Sequence, residues 1–398
     1  MTEAGTRPLS TALERCVGDV GSFLTDTWGQ RPFHHATGDG FEDLLTFDDV
    51  DRMVSSFGLR TPAFRLVKDG TSLPASSYTR SGRIGSVRVT GIADPARIFP
   101  LFADGATIVL QGMHRFWDPV AHFSRGLEAD LGHPIQVNAY VTPPGSQGFA
   151  AHQDSHDVFV VQAFGRKHWE VWEMGTRPEP SGQTPPPHLS IELEPGDCLY
   201  IPEGTNHAAR TQEAMSGHLT IGVHVKTWGD LFRDVLATAG DEDSFRERVP
   251  AGWHRNIYSL TAHTTDRLAD LSRWLKKLDP AEMAGQMIER FLTTRPPFLA
   301  GSLRGLMETG SLNDQTRVRR LRGSVCELAE GNGRLLVYLG DRELRMPLRA
   351  WPAMRFVSDR EAFAVTELAP FLHESSRLVL VRRLIREGLL TVESNLAD

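Results

Sequence analysis

The stretch FAAHQDSHDVFVVQAFGRKHWEVW, residues 149–172, reads as strand through DVFVVQAF and KHWEVW. It also holds His152, Asp154, His156, Asp157, Lys167 and His168, where a strand should be burying apolar surface. Side chains two apart on a strand share a face, so His152 and Asp154 are expected to point the same way and grip one ion. A histidine and a carboxylate from one strand, joined by a distant histidine, make the facial triad that holds non-haem Fe(II) with coordination positions left open. The third donor is expected in LEPGDCLYIPEGTNHAAR, residues 193–210: a Pro-Gly-Asp turn launches a short strand, a Pro turn follows, and His207 re-enters the barrel. A jelly roll brings residues this far apart in sequence to one mouth.

Around these segments lie TIVLQG (107–112), IQVNAYVTPPG (135–145), LSIEL (189–193) and HLTIGVHV (218–225). Such short β-rich runs, punctuated by Gly and Pro, predict a sandwich or jelly roll. One helix is expected at DPVAHFSRGLEADLG (118–132). Nearer the N-terminus, Leu13, Cys16, Val17, Val20, Phe23 and Leu24 recur at helical spacing, AFRLVKDG reads as strand and turn, and His34-His35 as loop.

After Trp228 the period becomes helical, through WGDLFRDVLATAG, then Leu268, Leu271, Leu275 and Leu278, then Met283, Met287, Ile288 and Phe291. That apolar face exceeds what one isolated helix pair would cover, which predicts an isologous homodimer. TTRPPFLAGS reads as a linker. Beyond it, GRLLVYLG and two expected helices, TELAPFLHE and SSRLVLVRRLIREGLL, follow a winged-helix order. The expected domains are 1–227, 228–298 and 299–398.

A winged helix raises DNA binding through Arg377, Arg382, Arg383 and Arg386. From residue 300 onward, however, Lys plus Arg only about balance Asp plus Glu, and the 398-residue chain carries a formal charge of −7. Nucleic acid is therefore not expected as a partner, and a structural or protein-docking role is favoured. Three scattered cysteines, Cys16, Cys198 and Cys326, suggest neither a disulfide framework nor a thiolate metal site. With no signal-like N-terminus and no run of about 18 apolar residues, no membrane span is expected and the location is expected to be cytoplasmic.

NAYVTPPGSQGFAAHQDSHDVFVVQAFGRKHWEVW, LEPGDCLYIPEGTNHAAR and GHLTIGV together closely resemble the JmjC-type cupin hydroxylases known as ribosomal oxygenases, most strongly over residues 107–226. The resemblance implies an α+β chain: a double-stranded β-helix (cupin, jelly-roll) JmjC domain, then a helical dimerisation domain and a C-terminal winged helix. It implies Fe(II), 2-oxoglutarate as co-substrate and O2 as oxidant, with His152, Asp154 and His207 matching the family's iron ligands. Lys167 matches the lysine that pairs with the distal carboxylate of 2-oxoglutarate; the other reading of Lys167 is a surface residue beside Arg166 in a hairpin. Asn138 and Thr220 resemble pocket-lining positions that hydrogen-bond the co-substrate, or else satisfy neighbouring backbone groups. His156, His168, Trp169 and Trp172 read as packing or rim residues.

Two departures stand out. Gln153 occupies a position where relatives often carry an aromatic, and Gly222 one where a small hydroxyl residue is often present. The activity implied is hydroxylation of a side chain in a protein or peptide, a ribosomal protein among the candidates. Two other classes fit the residues less fully: a cupin holding a divalent metal for non-oxidative chemistry, and a binding module whose metal is structural.

Overall fold

The computed structural model describes residues 11–38, 40–146, 151–176, 186–210, 214–297 and 299–393. Phe149 and Ala150 of the deciding stretch lie outside them. The chain divides into two compact units, Met1–Val225 and Lys226–Asp398.

Among the described residues the first unit has thirteen strands: β1 Phe33–Ala36, β2 Phe64–Lys68, β3 Thr71–Ser72, β4 Thr79–Ile84, β5 Val87–Ala93, β6 Thr107–Leu110, β7 Ile135–Thr142, β8 Asp157–Gly165, β9 Lys167–Val171, β10 Leu189–Leu193, β11 Asp197–Ile201, β12 His207–Arg210 and β13 Ser216–Val223. Eight form one sheet in the order β1-β11-β8-β13-β7-β6-β2-β3, and β10-β9-β12 form a second. All the pairings are antiparallel, and neighbours in the sheet are mostly distant in sequence, the wiring of a jelly roll.

The two faces of the large sheet do different work. Ile135, Val137, Ala139 and Val141 of β7, Phe159, Val161 and Ala163 of β8, and Leu219, Ile221 and Val223 of β13 pack with the N-terminal helices in one core. The alternate residues Val158 and Val160 join Trp169, Val171, Leu193, Leu199 and Ile201 in a second cluster that links the two sheets. β8 is therefore apolar on both faces, which is why DVFVVQAF shows no alternation.

Local sequence sets the helix limits. The expected N-terminal helix is two, Thr11–Val17 and Val20–Asp26, because Gly18 adopts φ +71° and the Asp19 side chain caps the second by accepting from the Ser22 N–H. Asp118–Leu131 forms as expected, with Pro119 in its first turn and Gly132 in the left-handed region at its end. His34 and His35 lie on β1 rather than in a loop, paired opposite Leu199 and Cys198.

In the second unit, helices Trp228–Thr238, Ile257–Leu275 and Pro280–Thr293 match the helical period. A further core gathers Val318, Leu335, Val337, Met354, Phe363, Val381, Leu384 and Leu390 around two three-stranded sheets. Of the two expected C-terminal helices only the second forms, as Glu374–Arg386. TELAPFLHE instead makes a 3-10 turn, Val365–Leu368: its apolar spacing is helical, but Pro370 brings no N–H. A helix at Trp351–Ser358, opened by Pro352, was not expected.

Arg377 forms an ion pair with Asp314, Arg383 pairs with Glu387, and Arg382 donates to the Thr309 carbonyl. Three of the four arginines that suggested DNA contact are therefore engaged within the fold. Cys16, Cys198 and Cys326 are free and buried. Among the described residues no helix is long and apolar enough to cross a membrane.

Candidate active site

His152, Asp154 and His207 do converge, though not by strand alternation. His152 forms an isolated antiparallel bridge with His207, each N–H donating to the other's carbonyl at 3.0 and 2.9 Å. Asp154 sits in the turn leading into β8, and its carbonyl accepts the Gly204 N–H at 3.0 Å. Two segments, 152–154 and 204–207, are thus laced by backbone hydrogen bonds, and the three ligand-type side chains gather where they meet. One donor atom from each lies within 4.8 Å of the others, the only such group of three among the described residues.

The chemistry of these atoms suits a cation. His207 is buried, and its Nδ1 lies 3.0 Å from the Thr205 carbonyl, which can only accept, so Nδ1 carries the proton and Nε2 presents a lone pair. That Nε2 faces Asp154 Oδ2 at 3.6 Å, while His152 Nε2 lies 4.0 Å from Asp154 Oδ1. Burial, reinforced by the neighbouring His152, pushes His207 toward the neutral imidazole a metal requires. Two ligands each about 2.1 Å from a shared ion lie up to ~4.2 Å apart, so both separations admit one. Trp169 stands 6.0 Å from the His207 ring, as part of the barrel interior rather than its rim.

Lys167 opens β9 and is 3% exposed, which removes the surface-hairpin reading. Its Nζ reaches Thr142 Oγ1 at 3.4 Å and makes no ion pair among the described residues. Burial alone lowers its pKa to about 7. A buried ammonium without a carboxylate is costly, and an incoming anion would relieve that cost. Trp169 Nε1 and His218 Nδ1 are also buried, without hydrogen-bond partners among the described residues. These groups fit an oxygen-rich, anionic guest.

β7 and β13 pair so that Asn138 lies opposite Thr220, Tyr140 opposite His218 and Thr142 opposite Ser216. Asn138 and Thr220 are therefore cross-strand neighbours, and Asn138 Oδ1 already accepts the Gly112 N–H at 3.0 Å. Tyr140, Thr142 and His218 were missed in the sequence, although each stands two or four residues along the strand from an expected pocket position. Tyr140 stacks on His218 at 5.2 Å, and its hydroxyl is hydrogen-bonded with Arg65 and Asn138. Burial raises the Tyr140 phenol above its usual range, opposed by Arg65 and reinforced by the Asp154 carboxylate.

Of the departures, Gln153 is exposed. A Cβ at Gly222 would lie 2.5 Å from the His156 ring, so His156 fills the space a hydroxyl residue would need.

The family model of the JmjC domain matches residues 113–231. Ribosomal oxygenase 1 of Rattus norvegicus is 28% identical over 340 residues, covering 75% of this chain and 55% of that protein. The bifunctional lysine-specific demethylase and histidyl-hydroxylase NO66 of Dictyostelium discoideum is 24% identical over 456 residues, covering 99% and 86%. The chain thus spans little more than half the length of the rat relative. Among solved structures, the ribosomal oxygenase YcfD of Escherichia coli in complex with cobalt and 2-oxoglutarate aligns with a TM-score of 0.57 at 19% identity, covering 94% of this chain and 98% of that one. That likeness establishes a shared fold. Residues 113–231 thus match the JmjC domain, and the chain is similar in sequence to ribosomal oxygenases and in fold to YcfD.

Proposed function

We propose that the protein is an Fe(II)- and 2-oxoglutarate-dependent hydroxylase acting on an amino-acid side chain of a protein or peptide. The observation that carries this reading is Lys167, a buried ammonium without a carboxylate partner among the described residues, in the same barrel as three convergent metal-ligand atoms. A structural metal or a non-oxidative cupin reaction gives that cation no purpose.

In this reading His152, Asp154 and His207 hold the ion on one side. Lys167, with Thr142 at its ammonium, receives the distal carboxylate of 2-oxoglutarate, and Asn138, Tyr140 and Thr220 line the wall between β7 and β13. When bound, Fe(II) with 2-oxoglutarate and O2 supplies the oxidising power for hydroxylating an unactivated C–H, with succinate and CO2 as co-products. Val158, Val160, Trp169 and Leu199 enclose the interior, keep bulk water from the buried charges and so strengthen the pairing at Lys167.

The substrate proposal is supported by the relatives' names, ribosomal proteins being the first candidates. The test is incubation of the purified protein with Fe(II), ascorbate, 2-oxoglutarate and a peptide library or lysate, read by mass spectrometry. A peptide gaining one oxygen atom with stoichiometric succinate is expected. Failure to convert 2-oxoglutarate under any of these conditions overturns the reading.

The remaining organisation is proposed as a helical dimerisation segment over residues 228–298 and a winged-helix-like domain over 299–398, in a cytoplasmic homodimer. The 19-residue helix Ile257–Leu275 has no buried residue, and Ile257, Tyr258, Leu268, Leu275, Met287 and Ile288 are exposed. A helix earns most of its stability by packing an apolar face, so these residues call for a second copy. Light scattering at micromolar concentration is expected to give a dimer, and Leu268→Glu with Ile288→Glu a monomer. A monomeric wild type refutes the assignment.

A further inference from the structure

Charge is unevenly distributed along the first unit. Residues 52–93 hold seven basic residues and one acidic residue, Asp69, in a chain whose net charge is −7. Three of the seven are engaged: Arg52 with Asp49, Lys68 with Asp104, and Arg65 with Gln111 and Ser72. The other four, Arg60, Arg80, Arg83 and Arg88, are exposed and make no ion pair among the described residues; Arg60 donates to the Thr90 carbonyl at 3.0 Å and Arg83 to the Ser86 carbonyl at 3.3 Å, contacts that leave both charges uncompensated. All four lie on or beside a two-stranded ribbon, β4 and β5, that pairs with neither of the barrel sheets.

The register of this ribbon places Arg83 directly opposite Arg88. Side chains directly opposite in an antiparallel pair share a face with their Cβ atoms about 5 Å apart, where like charges repel. Among the described residues no carboxylate pairs with either arginine, although Asp and Glu outnumber Lys and Arg over the whole chain. Arg80 pairs with Ile92, which bridges Arg60, so a second pair of cations flanks the ribbon's base. Beyond Arg83 and Arg88, Ile84 and Val87 face each other across the Gly85-Ser86 turn, 73% and 64% exposed. The ribbon is an arm with an apolar tip and a cationic shaft.

We propose that this arm binds RNA, its arginines taking backbone phosphates and Ile84 and Val87 lying against an unstacked base. Guanidinium forks match phosphate geometry, and a phosphate between Arg83 and Arg88 turns their repulsion into a clamp. The apolar tip selects among polyanions. Unpaired RNA presents open base faces, whereas a B-form duplex keeps its faces stacked and an acidic peptide has none. The chain's net negative charge excludes a protein that blankets nucleic acid, but not one that reaches it with a local cationic arm.

The test uses the full-length protein and a fluorescent single-stranded RNA of mixed sequence, followed by anisotropy over a salt series. The wild type is expected to bind, more tightly than it binds duplex DNA or polyglutamate. Arg83→Ala with Arg88→Ala is expected to weaken binding about tenfold or more and to flatten the slope of log K against log salt by about 1.4, for two phosphate contacts to a single strand. The Lys/Lys double variant is expected to keep most of the affinity. Arg233→Ala with Arg273→Ala, which removes the same charge from residues paired with Asp230 and Asp270, is expected to leave binding unchanged. Circular dichroism and cobalt uptake report whether each variant is folded. No RNA binding by the wild type, equal loss in both Ala/Ala variants, or a preference for duplex DNA or polyglutamate overturns the proposal.

Discussion

Replacing His207 with alanine is expected to lower metal affinity by more than about a hundredfold, beyond the 10- to 100-fold typical of disturbing a ligand's supporting partners. The ring is buried, carries its proton on Nδ1 against the Thr205 carbonyl and presents Nε2 to Asp154. Its loss leaves two donors, too few to hold an ion on one face. The backbone bridge to His152 is made by main-chain atoms and survives the substitution, so the fold should persist. Cobalt titration with circular dichroism separates the two effects, and His152→Ala should behave alike. Full metal stoichiometry with unchanged affinity in both variants would remove the triad from the site.

The convergence of these three side chains was legible because residue type alone pointed to it: two histidines and an aspartate in strand-rich sequence suggest a shared ion whatever the local backbone does. The local geometry was not legible. Alternation along a strand was the expected device, whereas a bridge between residues 152 and 207 is the observed one, and a pairing between distant segments leaves no mark in either. The barrel strands were readable from short β-rich runs between Gly and Pro turns. The polar row Asn138, Tyr140 and Thr142 was readable by the same period of two, yet Tyr140 and Thr142 look like ordinary strand residues until β13 places His218 and Ser216 opposite them. TELAPFLHE failed for a local reason, since its proline outweighs its apolar spacing. The arginine arm escaped notice because total charge averages over the chain.

Lys167→Ala is expected to weaken 2-oxoglutarate binding by about 2–5 kcal/mol, roughly 30- to 5,000-fold, the range for truncating one partner of a buried, hydrogen-bonded charge pair. Metal affinity should barely change, because Lys167 contributes no ligand atom to the group His152, Asp154 and His207. The ligand-free protein should lose little stability, since the substitution also removes a buried cation that no carboxylate among the described residues compensates. Lys167→Arg should recover only part of the affinity, a planar guanidinium being too broad for a place shaped around an ammonium. pH supplies an independent check. With its pKa lowered to about 7, Lys167 is charged below that pH in the ligand-free protein and neutral above it. A dianion binds the charged form, so affinity should be flat below about pH 7 and fall by up to tenfold for each unit above it, with a proton taken up on binding. Lys167→Ala should abolish that slope as well as lower the affinity. Calorimetric titration of both proteins with 2-oxoglutarate across this range decides the matter: equal affinity and equal pH dependence would show that the buried ammonium serves the barrel alone.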